Sequence, residues 1–136
     1  MQVYLFAFAY FCNEMKKAKT EKTQKRSECP VSCTLDLIGD KWSLLIIRDI
    51  MFFEKSTYNE FLDSGEKIST NILNDRLIAL TERGLITYTG TAKRKKYKLT
   101  KTGHELRPII EAARDFGLKH FKGSREYVEN RMNETK

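Results

Sequence analysis

Apolar residues recur at helical spacing between residues 29 and 56, and a few special residues mark where the helices of this stretch begin and end. Proline is tolerated in the first turn of a helix, so a helix is predicted from Pro30 to Ile38, broken by Gly39. Asp40 can then cap a second helix. That helix is traced by Trp42, Leu45, Ile46, Asp49 and Ile50. Its apolar members share one face, which indicates the central core helix.

A helix-turn-helix arrangement is predicted between residues 57 and 83. Thr57 and Glu60 have the spacing of a capping box, in which each side chain accepts a hydrogen bond from the backbone of the other residue. The short helix that follows ends near Ser64 and Gly65. Ser69 then caps an amphipathic helix that runs to Arg83.

The amphipathic helix divides into two arcs at 100° per residue. The arc predicted to face the core holds Ile72, Leu73, Leu77, Ala79 and Leu80. The arc predicted to face away holds Asn71, Asn74, Asp75 and Ile78. Arg76 projects within the apolar arc, which favours a snorkelling or internally paired guanidinium over a phosphate contact.

Alternation of apolar and polar residues replaces the helical period after Gly84. Ile86 and Tyr88 alternate with threonines, and Tyr97 and Leu99 alternate with lysines. Two strands with one apolar face each are therefore predicted to pair as a hairpin. The tip of this hairpin reads Lys93-Arg94-Lys95-Lys96.

A last helix is predicted after the hairpin. Thr102 and Glu105 have the spacing of a second capping box, and apolar residues follow at helical intervals as far as Leu118. Pro108 is expected to bend this helix. Residues 122–136 are polar and are expected to form a frayed tail.

Composition limits the class of protein. A chain of 136 residues, 40% of them hydrophobic, can close one core without metal or disulfide staples. The formal net charge of +7 favours a polyanionic partner. The order of elements predicts an α+β, mainly α fold, a winged helix-turn-helix with a two-stranded wing.

The cysteines and the lack of catalytic motifs limit the kinds of metal, disulfide and catalytic site that are expected. The three cysteines, Cys12, Cys29 and Cys33, form no cystine framework and fit a reducing cytoplasm. Together with His104 and His120 they match no usual zinc spacing, so no metal site is predicted. The chain has no glycine-rich phosphate loop, paired-histidine motif or nucleophile elbow. We therefore expect no cofactor, no catalytic residue and no enzyme.

Residues 1–28 are expected to be an apolar extension followed by a polar arm. The apolar run from Val3 to Cys12 is about half the length of a membrane span, and its positive charges follow it instead of preceding it as in a signal peptide. Neither export nor membrane association is expected. Met15 resembles an ordinary cytoplasmic start, so residues 1–14 are an upstream extension or a mis-assigned start. The alternative is an N-terminal helix that packs on a partner subunit.

Two groups of residues have the chemistry for contacts with double-stranded DNA. At the start of the amphipathic helix are Ser69, Thr70, Asn71 and Asn74, of which asparagine can pair with adenine through both amide groups. At the hairpin tip are Lys93, Arg94, Lys95 and Lys96, suited to phosphates or the minor groove. The alternative for the first group is that Ser69 only caps the helix and the asparagines are merely solvated.

Several motifs, in order, resemble the HxlR-type winged helix-turn-helix transcription regulators. They are Cys29-Pro30-Val31, Thr34-Leu35-Asp36-Leu37-Ile38-Gly39-Asp40-Lys41-Trp42, Tyr58-Asn59-Glu60-Phe61-Leu62, Ile68-Ser69-Thr70-Asn71-Ile72-Leu73-Asn74-Asp75-Arg76-Leu77, Glu82-Arg83-Gly84-Leu85-Ile86, Tyr97-Lys98-Leu99-Thr100, and Gly103 with Leu106-Arg107-Pro108. The resemblance covers residues 29–121, which we take as the domain, with 1–28 and 122–136 as extensions. The chain departs from the family pattern at Asp40, where a second glycine is common, and in a shorter, more basic wing.

The resemblance implies a homodimer that binds a two-fold operator. Residues 30–38 and 102–121 would form the dimer, and one recognition helix would enter each half-site. Some family members sense oxidants or electrophiles through a cysteine at the position of Cys29. Its place before a helix N-terminus, near Lys25 and Arg26, favours a thiolate, although Glu28 opposes it. Cys33 is either a resolving thiol or a small buried hydrophobe.

These features predict a sequence-specific DNA-binding regulator of transcription, acting as a repressor. The alternative is a winged-helix module that binds protein and uses its basic wing for acidic partners. Salt dependence separates the two, because each phosphate contact adds about 0.9 to the slope of log affinity against log salt.

Overall fold

The computed structural model describes residues 26–134. The elements follow in the order α1 (Pro30–Ile38), α2 (Ser43–Phe53), α3 (Tyr58–Leu62), α4 (Thr70–Glu82), β1 (Ile86–Thr91), β2 (Arg94–Leu99), α5 (Lys101–His104), α6 (Arg107–His120) and α7 (Ser124–Glu134). The mainly helical fold with a two-stranded antiparallel sheet confirms the predicted winged helix-turn-helix. The extension at residues 1–14, Cys12 and Lys25 lie outside the described residues.

The boundary between α1 and α2 follows its prediction closely. Pro30 occupies the first turn of α1, and the N–H of Gly39 closes the helix on the carbonyl of Leu35 at 2.7 Å. The N-cap of α2 is Trp42 and not the predicted Asp40. Asp40 nevertheless supplies the capping bonds, since Oδ1 accepts from the N–H groups of Trp42 and Ser43 at 2.9 and 3.0 Å.

Both helices of the helix-turn-helix begin at the predicted caps. The Thr57 hydroxyl accepts from the Glu60 N–H at 3.4 Å, and the Glu60 carboxylate accepts from the Thr57 N–H at 2.7 Å, which confirms the capping box. Ser69 Oγ accepts from the N–H of Ile72 at 3.4 Å and opens α4.

The core takes side chains from α1, α2, α3, α4, both strands and α6. Its fully buried members include Ile47, Phe61, Leu73, Leu80, Leu85 and Ile86. On α4 the prediction holds for Leu73, Leu77 and Leu80, which are buried. It is wrong for Ile72, which is 38% exposed because it lies at the margin of the apolar arc.

The two strands pair as the predicted hairpin, and their apolar positions meet, with Ile86 opposite Leu99 and Tyr88 opposite Tyr97. Its turn is shorter than predicted, because Thr91 pairs with Arg94 and only Ala92 and Lys93 lie between them. Arg94, Lys95 and Lys96 therefore belong to β2 instead of the tip.

The C-terminal third corrects three expectations. Thr100, not Thr102, caps α5: its hydroxyl accepts from the Gly103 N–H at 3.1 Å and donates to the Gly84 carbonyl at 2.6 Å. Pro108 lies in the first turn of α6, where its missing N–H is harmless, so it begins a new helix instead of bending one.

The third correction concerns the tail, which is helical. Residues Ser124–Glu134 form α7, whose Arg131 guanidinium lies 5.0 Å from the centre of the Phe53 ring. This contact with α2 stabilises the helical conformation of a polar segment. The domain limits at residues 29 and 121 stay a prediction. No helix within 26–134 is long and apolar enough to cross a membrane.

Candidate nucleic-acid interface

One side of α4 is free of the core. Because Leu73, Leu77 and Leu80 are buried, the opposite side faces solvent. The four residues predicted to face away are all exposed: Asn71, Asn74, Asp75 and Ile78. Ser69 and Thr70 are exposed at the start of the helix.

The first turn of α4 is held in place by α3. The Tyr58 hydroxyl donates to the carbonyl of Thr70 at 2.9 Å, linking the two helices of the motif. Ser69 does act as the cap, and its hydroxyl keeps a proton that can be donated. These hydrogen bonds hold the N-terminal turn of α4 in position and oppose fraying.

A groove of about 530 Å³ connects α3, α4 and the wing. It brings Asn74 together with the predicted wing cations Lys93, Arg94, Lys95 and Lys96. Its wall also includes Thr57, Tyr58 and Asn59, which sequence analysis did not select. The helix-turn-helix motif indicates that these residues lie near DNA, because the first helix of the motif crosses the DNA backbone. Ser69, Thr70 and Asn71 lie outside this wall.

Aromatic rings fasten the wing to the core. Tyr97 lies 6.1 Å from Phe61 and 5.8 Å from Tyr88, between ring centres, and burial raises the pKa of the Tyr97 hydroxyl. The N–H of Tyr97 donates to the carbonyl of Ser56 at 2.7 Å. Lys95 folds back on this stack, with Nζ 4.2 Å from the centre of the Tyr88 ring.

The other wing cations do not lie on this aromatic stack. Side chains alternate along a strand, so Arg94, Lys96 and Lys98 lie on the face opposite to Tyr97. All three are exposed, as is Lys93 in the turn. Lys98 is a further basic residue beside the predicted set.

A buried polar network holds the loop that enters α4. The carboxylate of Asp49, 2% exposed, accepts from Arg48 Nε at 2.9 Å, from Lys55 Nζ at 3.1 Å and from the Ser64 hydroxyl. Arg48 also donates to Glu66 at 2.7 Å, and these bonds lower the pKa of the Glu66 carboxyl. Ser64 and Glu66 belong to the turn of the motif, so α2 determines where that turn lies.

Two arginines join α4 to α1 and its following loop. Arg76 forms an ion pair with Asp40 at 3.4 Å, which confirms its predicted internal pairing. Arg83 Nη1 donates to the carbonyl of Leu37 at 2.5 Å. Burial raises the pKa of Asp40, but hydrogen bonds from Ser43 and from the Trp42 N–H outweigh this effect and leave the pKa below its ordinary value.

The two described cysteines lie at the start of α1. Cys29 is exposed at the N-cap, and Cys33 is half-buried with its thiol donating to the carbonyl of Ser27 at 3.4 Å. Arg26 is paired with Asp36 at 2.6 Å. Within residues 26–134, no three His, Cys, Asp or Glu side chains converge to hold a metal ion.

Comparisons with known proteins agree with this architecture. The HxlR-like helix-turn-helix family profile matches residues 37–125. The chain is 34% identical over 95 residues to the uncharacterized helix-turn-helix transcriptional regulator YdeP of Bacillus subtilis, covering 68% of this chain and 73% of YdeP. It is 33% identical over 92 residues to the regulator sll1512 of Synechocystis, covering 65% and 67%.

Solved structures give the same result. PA1607 superposes with a TM-score of 0.65 and 36% identity, covering 74% of this chain and 70% of PA1607. The redox regulator HypR in its oxidized form superposes with a TM-score of 0.59 and 28% identity, covering 68% and 97%. The chain belongs to the HxlR-like helix-turn-helix family and is a DNA-binding regulator of transcription.

Proposed function

We propose that the protein is a cytoplasmic repressor that binds a two-fold operator as a homodimer. The exposed start of α4 would read bases in the major groove, and the wing would lie along neighbouring phosphates. The observation that carries this proposal is the single groove shared by Asn74 and the wing cations Lys93–Lys96. Asn74 and the wing are therefore neighbours across this groove, so α4 and the wing can contact bases and adjoining phosphates of the same DNA segment.

Exposed apolar side chains on α1 and α6 support the homodimer. Val31 and Leu35 lie one turn apart on α1 and are 66% and 52% exposed. Ile109 and Phe116 on α6, and Phe121 after it, are also exposed. Several large apolar side chains left exposed on two helices are typical of an interface between subunits.

The proposed function is tested by fluorescence-anisotropy titration of the protein against its own upstream intergenic DNA and a scrambled duplex, over a salt series. We expect tight preference for the native fragment and a steep salt slope, about 0.9 per phosphate neutralised. Weak binding that ignores sequence would contradict it. A shallow salt slope would favour the protein-binding module instead.

We also propose that Cys29 makes binding responsive to oxidants. Its thiol is exposed at the N-cap of α1, the helix assigned to the dimer, and the similar HypR is a redox regulator. Two Cys29 thiols in a dimer can give two electrons and two protons to diamide and form an intersubunit disulfide.

Diamide is therefore expected to change operator affinity and to produce a crosslinked dimer on non-reducing gels. Cys29→Ser should abolish both effects, whereas Cys33→Ser should retain them. Unchanged affinity together with no crosslink in the wild-type protein would refute the response.

A further inference from the structure

One outward residue of α4 is apolar and has no place in the core. Ile78 is 49% exposed and is absent from the hydrophobic side chains that pack on the core. It lies seven residues after Asn71 and four after Asn74, which at 100° per residue places it within about 20° and 40° of these two side chains. Ile78 is thus central on the outward face, whereas the exposed Ile72 lies at its margin.

The chemistry of this face is suited to base edges. Asn71, Asn74, Asp75 and Ile78 include no cation, and Asp75 repels phosphate. The cations lie on the wing, so phosphate contact and base contact are divided between two elements. A β-branched residue does not raise helix propensity. The stability of α4 therefore does not explain why an exposed isoleucine stands at position 78.

The major groove presents one purely apolar group, the C5-methyl of thymine. We propose that Ile78 packs against a thymine methyl in each half-site and is a specificity-determining residue of α4. This inference rests on the proposed function and adds a base that the asparagines do not read. Seven residues span about 10.5 Å of helix. With α4 along the groove, the thymine lies about three base pairs from the base read by Asn71.

The test begins with selection of an operator from a random duplex library by the purified full-length protein. Each thymine of the selected operator is then replaced by deoxyuridine in both half-sites, which removes only the methyl group. For the wild-type protein we expect one position to lower affinity about fourfold per half-site and about fifteenfold for both, the value of one buried methyl. Ile78→Ala should bind the thymine and uracil duplexes equally.

Two further variants sharpen the result. Ile72→Ala makes the same change on the same helix at the margin of the outward face, about 120° from Ile78 around the helix axis, and should keep the full uracil penalty. Ile78→Val retains most of the contact and should keep part of it. Thermal unfolding checks that each variant is folded.

The outcomes separate the two proposals. An operator whose thymine methyls do not matter, or an Ile78→Ala variant that keeps the full penalty, overturns the role of Ile78 alone. Failure to enrich any sequence overturns sequence-specific binding, and the role of Ile78 with it.

Discussion

Asp49→Ala is expected to lower the free energy of unfolding by about 3 to 5 kcal/mol, a large share of the stability of a small domain. The substitution removes the carboxylate on which Arg48, Lys55 and Ser64 converge. Arg48 keeps Glu66, but Lys55 is left largely buried without a counter-charge. Denaturant unfolding followed by circular dichroism measures the change.

The matched control for this substitution is Asp115→Ala. Asp115 pairs with Arg114 at 2.8 Å on the exposed side of α6, where an ion pair contributes less than about 1 kcal/mol. If both variants lose an equally small amount of free energy of unfolding, the network around Asp49 is not what holds the turn of the motif. A destabilised Asp49 variant should also expose amides of residues 63–68 to faster hydrogen exchange.

The second large effect is expected on DNA specificity. Replacing both Asn71 and Asn74 with alanine should lower operator affinity by about thirtyfold or more, because each bidentate contact to adenine contributes about 1 to 3 kcal/mol. Both side chains are exposed, so the free energy of unfolding should stay within about 0.5 kcal/mol. Anisotropy titration against operator and scrambled duplexes measures the effect.

The control for specificity is a wing variant, Lys93→Gln with Lys96→Gln. Loss of phosphate contacts should weaken binding to both duplexes alike and reduce the salt slope by about 0.9 for each contact removed. The asparagine variant should leave that slope unchanged. Equal losses on operator and scrambled DNA for the asparagine variant would show that α4 does not read bases.

Local side-chain chemistry accounts for what was predictable in this fold. The capping box at Thr57, the Ser69 cap and the break at Gly39 depend on residues within four positions of each other, so the chain itself reveals them. The alternation of Tyr88 and Tyr97 with polar neighbours likewise predicts which face of each wing strand is apolar. These signals placed α4 and the wing within a residue or two.

The predictions that were wrong concern residues whose conformation depends on a contact with a residue distant in the sequence. Thr100 became the cap because its hydroxyl meets the carbonyl of Gly84, sixteen residues earlier. The tail is helical because Arg131 packs over Phe53, a contact that its polar composition does not reveal. Lys95 folds onto Tyr88 instead of standing with the other wing cations, since the two-residue turn sets a register that a charge run does not encode.

The bonds from Arg76 and Arg83 have a consequence for operator geometry. They join α4 and its C-cap to Asp40 in the α1–α2 connection and to the last turn of α1, so we expect α1 and α4 to move as one block. In a dimer assembled through α1, a change in its tilt would alter the separation between the two copies of α4. The number of base pairs between half-sites is then determined at the dimer seam, far from any residue that touches a base.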